Sequence, residues 1–328
     1  MKKVGLGLIG LGYIGKTHLR NCFNLKSARL EAVSDISKKA LSFARKMGVK
    51  NTYRDYQKLL QDQRIDAVII ALPTHLHASV VEEAAEAGKD IFVEKPLARN
   101  VVEGKEIVST ASRNGVRLMV GYPLRFSSSF RSLKEKIVEG ALGEVQSACA
   151  SLLGSGPFLY RADGLTPRPV PSWWLKKEFT GGGALMDYGC HLINLIRWYF
   201  GEISDIKSYI GHRFHLDLED HATCIAKFQS EQIAVINVGW FSSETEMKVE
   251  LFGTAGHAFA GHYPSSKIVS AVQLLLKSTP KFYLPYLREL EHFVWCIEHD
   301  LLPSPSGDDA LKDLEAISLA YTNEILLK

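Results

Sequence analysis

The chain has 328 residues, 46% of them hydrophobic and 23% charged, a length that favours two globular domains over a single core. Its formal net charge of +3 is too small to indicate binding to nucleic acid or to an anionic membrane surface. Five scattered cysteines exclude a disulfide framework, and no apolar run approaches the length of a membrane span. Lys2-Lys3 before an apolar run mimics a secretory signal, but glycines interrupt that run and no cleavage site follows. These features predict a cytoplasmic protein.

The first predicted strand, Val4–Ile9, leads into a glycine-rich turn with the spacing Gly10-x-Gly12-x-x-Gly15 and then into a helix. Glycines at these positions let the backbone turn tightly and approach a pyrophosphate, whose negative charge the helix N-terminus attracts. The alternative is a glycine-rich turn without a ligand, and the strand–turn–helix context argues against it. The motif predicts a dinucleotide site.

An acid follows the second predicted strand, Leu30–Ser34. This residue, Asp35, lies at the distance from the glycines where an acid hydrogen-bonds the adenosine ribose and repels a 2′-phosphate. The sequence therefore predicts a preference for NAD. NADP remains the alternative, because Lys38 and Lys39 lie close by.

Strands and helices continue to alternate as far as residue 120. The predicted strands are Ile65–Leu72, Asp90–Val93 and Val116–Val120, and the helices are Ala78–Ala87 and Val102–Arg113. This alternation predicts a doubly wound parallel sheet, which binds ligands at the carboxyl ends of its strands. The polar and turn residues at those ends are Pro73, Thr74, His77, Glu94 and Lys95. Lys95 is thereby predicted to hold a substrate hydroxyl or its oxyanion beside the cofactor, the alternative being a plain surface lysine.

The boundary predicted from this pattern divides a Rossmann domain, 1–121, from a second domain, 122–328. Predicted helices of the second domain are Ser128–Glu139, Ala184–Phe200, Phe282–His299 and Asp309–Leu327. Its predicted strands are Glu144–Leu153, Ile206–Arg213, Ala222–Phe228, Gln232–Phe241 and Lys248–Phe252. Short polar turns between the later strands are typical of an antiparallel meander, an open sheet that can present one face to a partner subunit. His212, His215 and His221 fit no standard metal spacing, so no metal site is predicted.

A proline-rich loop, Gly154–Ser172, carries two arginines, Arg161 and Arg168. Long loops of this kind are often binding loops, and the arginines could grip a carboxylate or a diphosphate. Two solvated arginines are the alternative. Trp173-Trp174 follows, and Trp174 could offer a face on which a sugar stacks, or could simply pack.

The segment from Gly181 to His191 is the most informative stretch of the second domain. Three glycines lead into a helix in which Asp187 and His191 are four residues apart and share one face. A carboxylate that orients an imidazole builds a general acid/base group near neutral pH. A hydrogen bond on the helix surface without any chemistry is the alternative.

These motifs resemble the Gfo/Idh/MocA oxidoreductases, the relatives of glucose–fructose oxidoreductase and inositol dehydrogenase. The stretches that carry the resemblance are Gly10-x-Gly12-Tyr13-Ile14-Gly15 with His18, Pro73-Thr74-x-x-His77, Glu94-Lys95-Pro96, Gly121-Tyr122-x-x-Arg125-Phe126, Gly181-Gly182-Gly183-x-x-x-Asp187-x-Gly189-x-His191 and Val249-Glu250-x-Phe252-Gly253-Thr254-x-Gly256. The resemblance implies an α/β fold, with an N-terminal Rossmann domain and a C-terminal α+β domain. The large, open and mostly antiparallel sheet of the latter would form the substrate floor and the interface of a homodimer or homotetramer.

The resemblance also implies functional residues. The catalytic residues would be Lys95, Asp187 and His191. Cofactor contacts are expected from Gly10, Gly12, Tyr13, Ile14, Gly15, Asp35, Leu72, Pro73, Thr74, His77, Glu94, Lys95 and Arg125. Substrate contacts are expected from Lys95, Tyr122, Arg161, Arg168, Trp174, Asp187 and His191. Many relatives carry an acid three residues after the histidine, where this chain has Asn194.

The sequence thus predicts an NAD-dependent oxidoreductase that transfers hydride between nicotinamide and a secondary hydroxyl of a sugar, sugar derivative or cyclitol. His191 would act as the general acid/base. A nucleotide-sugar dehydrogenase is the alternative of the same class, with Arg161 and Arg168 holding phosphates. The alternative of another class is a non-catalytic NAD-sensing regulator on the same fold.

Overall fold

The computed structural model describes residues 3–161, 164–167, 170–262 and 284–325. The described residues divide into two compact units, one of 3–123 with 284–311 and one of 124–262 with 312–325. The first unit therefore takes a segment from near the end of the chain, which the predicted single boundary at 121/122 does not include. Among the described residues, no helix is long and apolar enough to cross a membrane.

The first unit is built on a six-stranded parallel sheet. Its strands are β1 (Val4–Ile9), β2 (Ala28–Ser34), β3 (Asn51–Tyr53), β4 (Ala67–Ile70), β5 (Asp90–Glu94) and β6 (Leu118–Gly121). Their spatial order is β3-β2-β1-β4-β5-β6, the order of the dinucleotide-binding doubly wound fold. The predicted parallel sheet is confirmed. β1, β4 and β6 are wholly buried, which explains why their sequences are nearly continuous apolar runs.

Helices connect and cover these strands. They are α1 (Tyr13–Cys22), α2 (Lys38–Lys46), α3 (Tyr56–Leu60), α4 (His77–Glu86) and α5 (Val101–Arg113), with α9 (Leu284–Glu298) from the later segment. α9 packs on α1, β1 and β6. Phe293 of α9 is buried against Phe92 of β5, their ring centroids 5.9 Å apart. This apolar packing is the physical reason why a late segment belongs to the first unit.

The second unit contains a six-stranded mixed sheet. Its strands are β7 (Val145–Leu153), β10 (Ile203–Gly211), β11 (His221–Phe228), β12 (Ile233–Gly239), β13 (Glu246–Gly253) and β14 (Gly256–His262), in the order β10-β11-β12-β7-β13-β14. All neighbours are antiparallel except β12 and β7, which are parallel. The mostly antiparallel sheet is confirmed. The prediction of a simple meander is wrong, because β7 lies between β12 and β13 in the sheet.

Two further elements depart from the predictions in the second unit. The stretch predicted as a loop contains a small hairpin of β8 (Phe158–Arg161) and β9 (Gly164–Pro167). The predicted helix 184–200 begins as a π-helical segment, Leu185–Gly189, and continues as α8 (Cys190–Phe200). The other helices of the described residues are α6 (Ser128–Val138), α7 (Lys177–Thr180) and α10 (Gly307–Thr322), which begins in the segment of the first unit and ends in the second.

Candidate active site

The glycine-rich turn between β1 and α1 has the shape of a phosphate cradle. Gly10 has a φ of +94°, and a Cβ there would lie 2.3 Å from the carbonyl oxygen of Ala71. A Cβ at Gly15 would lie 2.1 Å from the carbonyl oxygen of Gly10, so both positions admit glycine alone. A Cβ at Gly12, in contrast, would meet no described atom within 4 Å. Gly12 precedes the first turn of α1 and leaves open the space that a pyrophosphate needs. The residues present therefore fit a dinucleotide.

Replacing Gly12 with alanine should separate cofactor binding from folding. The new methyl group enters open space, so we expect an unchanged melting temperature. NAD affinity should fall at least about tenfold, which is about 1.4 kcal/mol, because the methyl group occupies the pyrophosphate space. Calorimetric titration with NAD and a thermal melt measure the two effects. Gly15→Ala is the matched control, since its Cβ meets backbone and should lower the melting temperature itself.

Asp35, the predicted ribose ligand, is half-buried directly after β2. Its Oδ2 accepts a hydrogen bond from the Leu11 amide at 2.7 Å, and its Oδ1 accepts one from the Ser37 amide at 2.7 Å. The carboxylate thus ties the glycine-rich turn to the end of β2. The two bonds fix the orientation of the carboxylate, which is the preorganisation that recognition of two ribose hydroxyls needs.

The ends of β4 and β5 carry the other predicted cofactor residues. His77 is buried, with Nε2 3.1 Å from the carbonyl oxygen of Leu72 and Nδ1 3.0 Å from that of Pro96. Burial lowers the pKa of the His77 imidazole, which favours the neutral ring. The His77 ring thus links the two strand-end turns. Thr74 is buried nearby, whereas Leu72 and Pro73 are half-buried.

Lys95 directly follows β5 and is half-buried. Its backbone amide donates a hydrogen bond to Oε2 of the preceding Glu94 at 3.2 Å. Glu94 is buried, so Lys95 extends from a turn that is anchored in the interior of the first unit. Topology and burial therefore place the predicted lysine at the ligand-binding edge of the sheet.

In the second unit, the predicted acid/base residues lie on a segment that is otherwise buried. Within 184–197, all of which the structure describes, Asp187, Tyr188 and His191 are half-buried and every other residue is buried. Asp187 and Tyr188 belong to the π-helical turn, a feature that is frequent at functional sites. Tyr188 was not predicted as a site residue, because its partial exposure on an otherwise buried segment is not visible in the sequence.

Glu219 anchors the start of this segment. Its Oε1 accepts hydrogen bonds from the amides of Gly183 at 2.8 Å and Leu185 at 3.0 Å, and from the Tyr321 hydroxyl at 2.7 Å. Its backbone oxygen accepts the Ala184 amide at 3.0 Å. Both carboxylate and helix start are buried, so these bonds satisfy amides that a helix leaves unpaired at its N-terminus. Glu219 was not predicted, because it lies 36 residues from Gly183 in the chain.

Asn194, at the position where the family resemblance leads us to expect an acid, joins two charged groups. Its Oδ1 accepts the Nε–H of Arg125 at 2.7 Å, and its Nδ2 donates to Asp313 at 2.6 Å. Asp313 also pairs with Arg197. Burial raises the pKa of Asp313 to about 6, against the opposite effect of Arg197. Asn194 has no negative charge of its own, but its hydrogen-bond partner Asp313 supplies a carboxyl group to the same network. Arg125, predicted to contact the cofactor, is buried in this network.

The other predicted site residues have less distinctive surroundings. Tyr13 is exposed and Ile14 half-buried at the start of α1, whereas Tyr122 is only 2% exposed. Trp174 is half-buried in a single 3-10 turn, Ser172–Leu175. Arg161 ends β8, but its side chain and all of Arg168 lie outside the described residues.

Two parts of the chain match one known family. Residues 4–122 match an oxidoreductase family with an NAD-binding Rossmann fold, and residues 130–259 match the GFO/IDH/MocA C-terminal domain. The chain belongs to the Gfo/Idh/MocA oxidoreductase family. The predicted family, the NAD-binding Rossmann domain and the oxidoreductase class are confirmed.

Gfo/Idh/MocA relatives match nearly the whole chain. This chain is 28% identical over 338 residues to scyllo-inositol 2-dehydrogenase (NAD(+)) of Bacillus subtilis (strain 168), and the match covers 98% of this chain and 94% of that protein. This chain is 27% identical over 322 residues to myo-inositol 2-dehydrogenase of Thermotoga maritima, and the match covers 93% of this chain and 91% of that protein. A solved structure of scyllo-inositol dehydrogenase from Lactobacillus casei, with bound NAD(H) and scyllo-inositol, matches with a TM-score of 0.80 at 21% identity, covering 98% and 97%. That likeness shows the shared fold.

Proposed function

We propose that this protein is an NAD-dependent dehydrogenase that oxidises a secondary hydroxyl of a cyclitol, sugar or sugar derivative. The observation that carries the proposal is the partial exposure of Asp187 and His191 on an otherwise buried segment. A carboxylate and an imidazole kept accessible by such a segment suit proton transfer to and from a hydroxyl. The names of the relatives, two inositol dehydrogenases, support a polyhydroxylated substrate.

Lys95, Asp187 and His191 each have a role in the proposed reaction. NAD would supply the acceptor for the hydride of the substrate carbon, and Gly12 and Asp35 would hold the cofactor. His191 takes the hydroxyl proton, and Asp187 fixes the imidazole tautomer and stabilises the imidazolium. Lys95 hydrogen-bonds the reacting oxygen and stabilises the negative charge that develops on it.

A preference for NAD over NADP follows from Asp35. Its carboxylate is fixed by two backbone amides at the end of β2, where a 2′-phosphate would approach it. Lys38 and Lys39 are exposed on the first turn of α2, so they can stay in solvent rather than pair with this carboxylate. Comparison of kcat/KM for NAD and NADP tests the preference, and equal values would contradict it.

A substrate screen tests the proposed function. Inositols, free sugars, sugar acids and nucleotide sugars are each incubated with NAD, and the absorbance of reduced nicotinamide is followed. Turnover of inositols or free sugars supports the proposal. Turnover restricted to nucleotide sugars would favour the nucleotide-sugar dehydrogenase. NAD binding without turnover of any compound in either direction would favour the regulator.

We also propose a homo-oligomer formed through the second sheet. Ile225 and Val235 are direct cross-strand partners on β11 and β12, and they are 50% and 36% exposed. Phe252 and Phe259 are exposed on β13 and β14 of the same sheet. Exposed apolar residues gathered on one sheet are typical of a protein–protein interface.

Ile225→Lys should therefore weaken self-association. A lysine in an apolar interface must be desolvated, so we expect the dissociation constant to rise at least about tenfold. Analytical ultracentrifugation measures it. The matched control is Val138→Lys, since Val138 is 74% exposed at the end of α6. An unchanged association constant for Ile225→Lys would contradict an interface at this position.

A further inference from the structure

Three buried side chains with metal-binding atoms meet inside the first unit. They are His18 of α1, Glu94 at the end of β5 and Glu289 of α9, which are 0%, 5% and 0% exposed. One nitrogen or oxygen atom of each lies within 4.8 Å of the corresponding atoms of the other two. The three residues come from distant parts of the chain, and the proposed reaction gives none of them a step. Their meeting therefore needs an explanation of its own.

Glu289 is the member that its surroundings do not satisfy. Among the residues that the structure describes, neither of its carboxylate oxygens has a hydrogen-bond partner. Aromatic rings border the cluster: His18 packs edge-on against Phe92 with ring centroids 5.4 Å apart, and Phe92 packs on Phe293. A carboxylate without donors in such an interior is strongly unfavourable unless positive charge compensates it. Both oxygens of Glu289 are thus available to a ligand that brings this charge.

The charges within the cluster favour a cation. Glu94 is the charged group that acts on the Glu289 carboxyl, and it has the same sign. Tyr286 of α9 lies 6.2 Å from His18, ring to ring, and burial raises the pKa of its hydroxyl, so it stays neutral. β1 and β6, which pack on α9 and are fully described, contain no ionisable side chain. Two carboxylates and a neutral imidazole carry two negative charges, which one divalent cation neutralises.

The contact between His18 and Glu94 is compatible with such an ion. Nε2 of His18 and Oε1 of Glu94 are 2.6 Å apart, a hydrogen bond in which one proton lies between them. Two ligand atoms that are each about 2.0–2.1 Å from one zinc ion lie about 3 Å apart. An ion would therefore replace this proton and part the two atoms by a few tenths of an ångström, since metal binding releases protons from its ligands.

A proton on Glu289 is the other means of removing its charge. Burial, followed by the charge of Glu94, raises the pKa of the Glu289 carboxyl well above its ordinary value when no cation is bound. A protonated acid, however, is a donor that needs an acceptor, and no described group forms a hydrogen bond with either Glu289 oxygen. The gap between Glu289 and the other two residues therefore suits an ion bonded to all three better than a shared proton.

The donor atoms indicate which ion fits. One imidazole nitrogen and two carboxylate groups disfavour Mg²⁺ and Ca²⁺, which prefer oxygen alone, and offer no sulfur for Cu(I). Zn²⁺ accepts both donor types and is bound by three or four protein ligands. Glu289 can supply one or both oxygens, so the cluster provides three or four donor atoms. Mn²⁺ is the next ion that this set would accept.

We propose that His18, Glu94 and Glu289 form a structural site for one divalent transition-metal ion, with Zn²⁺ as the ion that the donors fit best. The ion joins α9 to α1 and β5, in addition to the packing of Phe293 on Phe92. Oε2 of Glu94 accepts the Lys95 amide at 3.2 Å, so the ion also anchors the turn that follows β5. The site holds the first unit together and does not depend on the proposed reaction.

Elemental analysis of the untagged, purified protein tests the site directly. Wild-type protein equilibrated with Zn²⁺ and freed of excess should retain about one zinc ion per chain. Glu289→Gln keeps the shape but removes a charged ligand, so its dissociation constant for Zn²⁺ should rise at least about 100-fold, the upper end of the losses that follow removal of a group supporting a ligand. Glu291→Gln, at an exposed position of the same helix, should bind as the wild type does.

Two outcomes of this measurement would overturn the proposal. One is a metal-free wild type that takes up neither Zn²⁺ nor Mn²⁺ on titration, which would leave the proton as the occupant. The other is equal zinc retention in the wild type and Glu289→Gln, which would place the ion elsewhere. X-ray absorption at the zinc edge of the wild type should show nitrogen and oxygen ligands at about 2.0–2.2 Å, one of them an imidazole. Sulfur ligands would contradict the site.

Thermal melts test the structural role. A ligand that binds the folded state stabilises it, so a chelator should lower the melting temperature of the wild type by several degrees, and added Zn²⁺ should restore it. Glu289→Gln should melt at the same temperature with and without chelator, and Glu291→Gln should respond as the wild type does. A wild type that holds zinc but melts unchanged after its removal would overturn the structural role. If Glu289→Gln does not fold, zinc content and X-ray absorption of the wild type decide alone.

Discussion

Replacing His191 with alanine should lower kcat for substrate oxidation by about 10²- to 10⁴-fold, the usual contribution of one general acid/base group. His191 is half-buried on a segment whose other residues, Asp187 and Tyr188 excepted, are buried within 184–197. Removal of its ring therefore takes away a proton acceptor without creating a cavity in the core. Stopped-flow measurement of nicotinamide reduction gives the rate, and calorimetric titration shows whether NAD still binds.

His212→Ala is the matched control for this experiment. His212 belongs to the same unit and is exposed, and its Nδ1 lies 3.2 Å from the carbonyl oxygen of Leu218. Its loss should leave turnover near the wild-type value. The kcat of Asp187→Asn should lie between those of His191→Ala and His212→Ala, because an amide keeps the shape of the carboxylate but cannot stabilise an imidazolium. Near-normal turnover of His191→Ala with NAD bound would show that another group takes the proton.

Lys95→Met should lower kcat by about 10²- to 10³-fold, the range found when one donor to a developing oxyanion is removed. Methionine keeps the length and most of the volume of the side chain, so the loss reports the ammonium group. Because Lys95 is proposed to act on the reacting oxygen, the effect should appear in kcat and kcat/KM together. Steady-state kinetics with saturating NAD measures both constants.

Lys46→Met serves as the control, since Lys46 is exposed in the last turn of α2. It should leave both constants unchanged. A Lys95→Met variant that raises KM but keeps kcat would mean that the lysine binds substrate and transition state equally. That outcome would contradict its proposed role in stabilising charge.

The sequence predicted the first unit well because its signals are local. β1, the glycine-rich turn and Asp35 follow one another within 35 residues, and each has a fixed relation to the parallel sheet. Strand order in the second unit depends on contacts between distant residues. β7 pairs with β12 through Cys149 and Val235, and no local pattern encodes that parallel pair. The late helix α9 was predicted as a helix, but its return to the first unit depends on packing such as that of Phe293 on Phe92.

The candidate site shows the same division. Lys95, Asp187 and His191 stand in short motifs whose spacing has a meaning, so they could be proposed from the sequence. Glu219 could not, because its importance lies in what it faces, the amides of Gly183 and Leu185. The burial of Glu289 near Glu94 could not be predicted either. An acid on an amphipathic helix is normally solvated, and nothing in the spacing of Glu289 marks it as buried.

The contribution of α9 to the first unit also has a consequence for biosynthesis. A ribosome releases His18 and Glu94 early, whereas Glu289 and Phe293 emerge after the entire second sheet. Until then the nascent sheet lacks the packing of Phe293 on Phe92, an apolar surface of the kind that chaperones and proteases recognise. A chain truncated before α9 would therefore carry the nucleotide motif but leave uncovered the apolar face of Phe92 on which Phe293 packs.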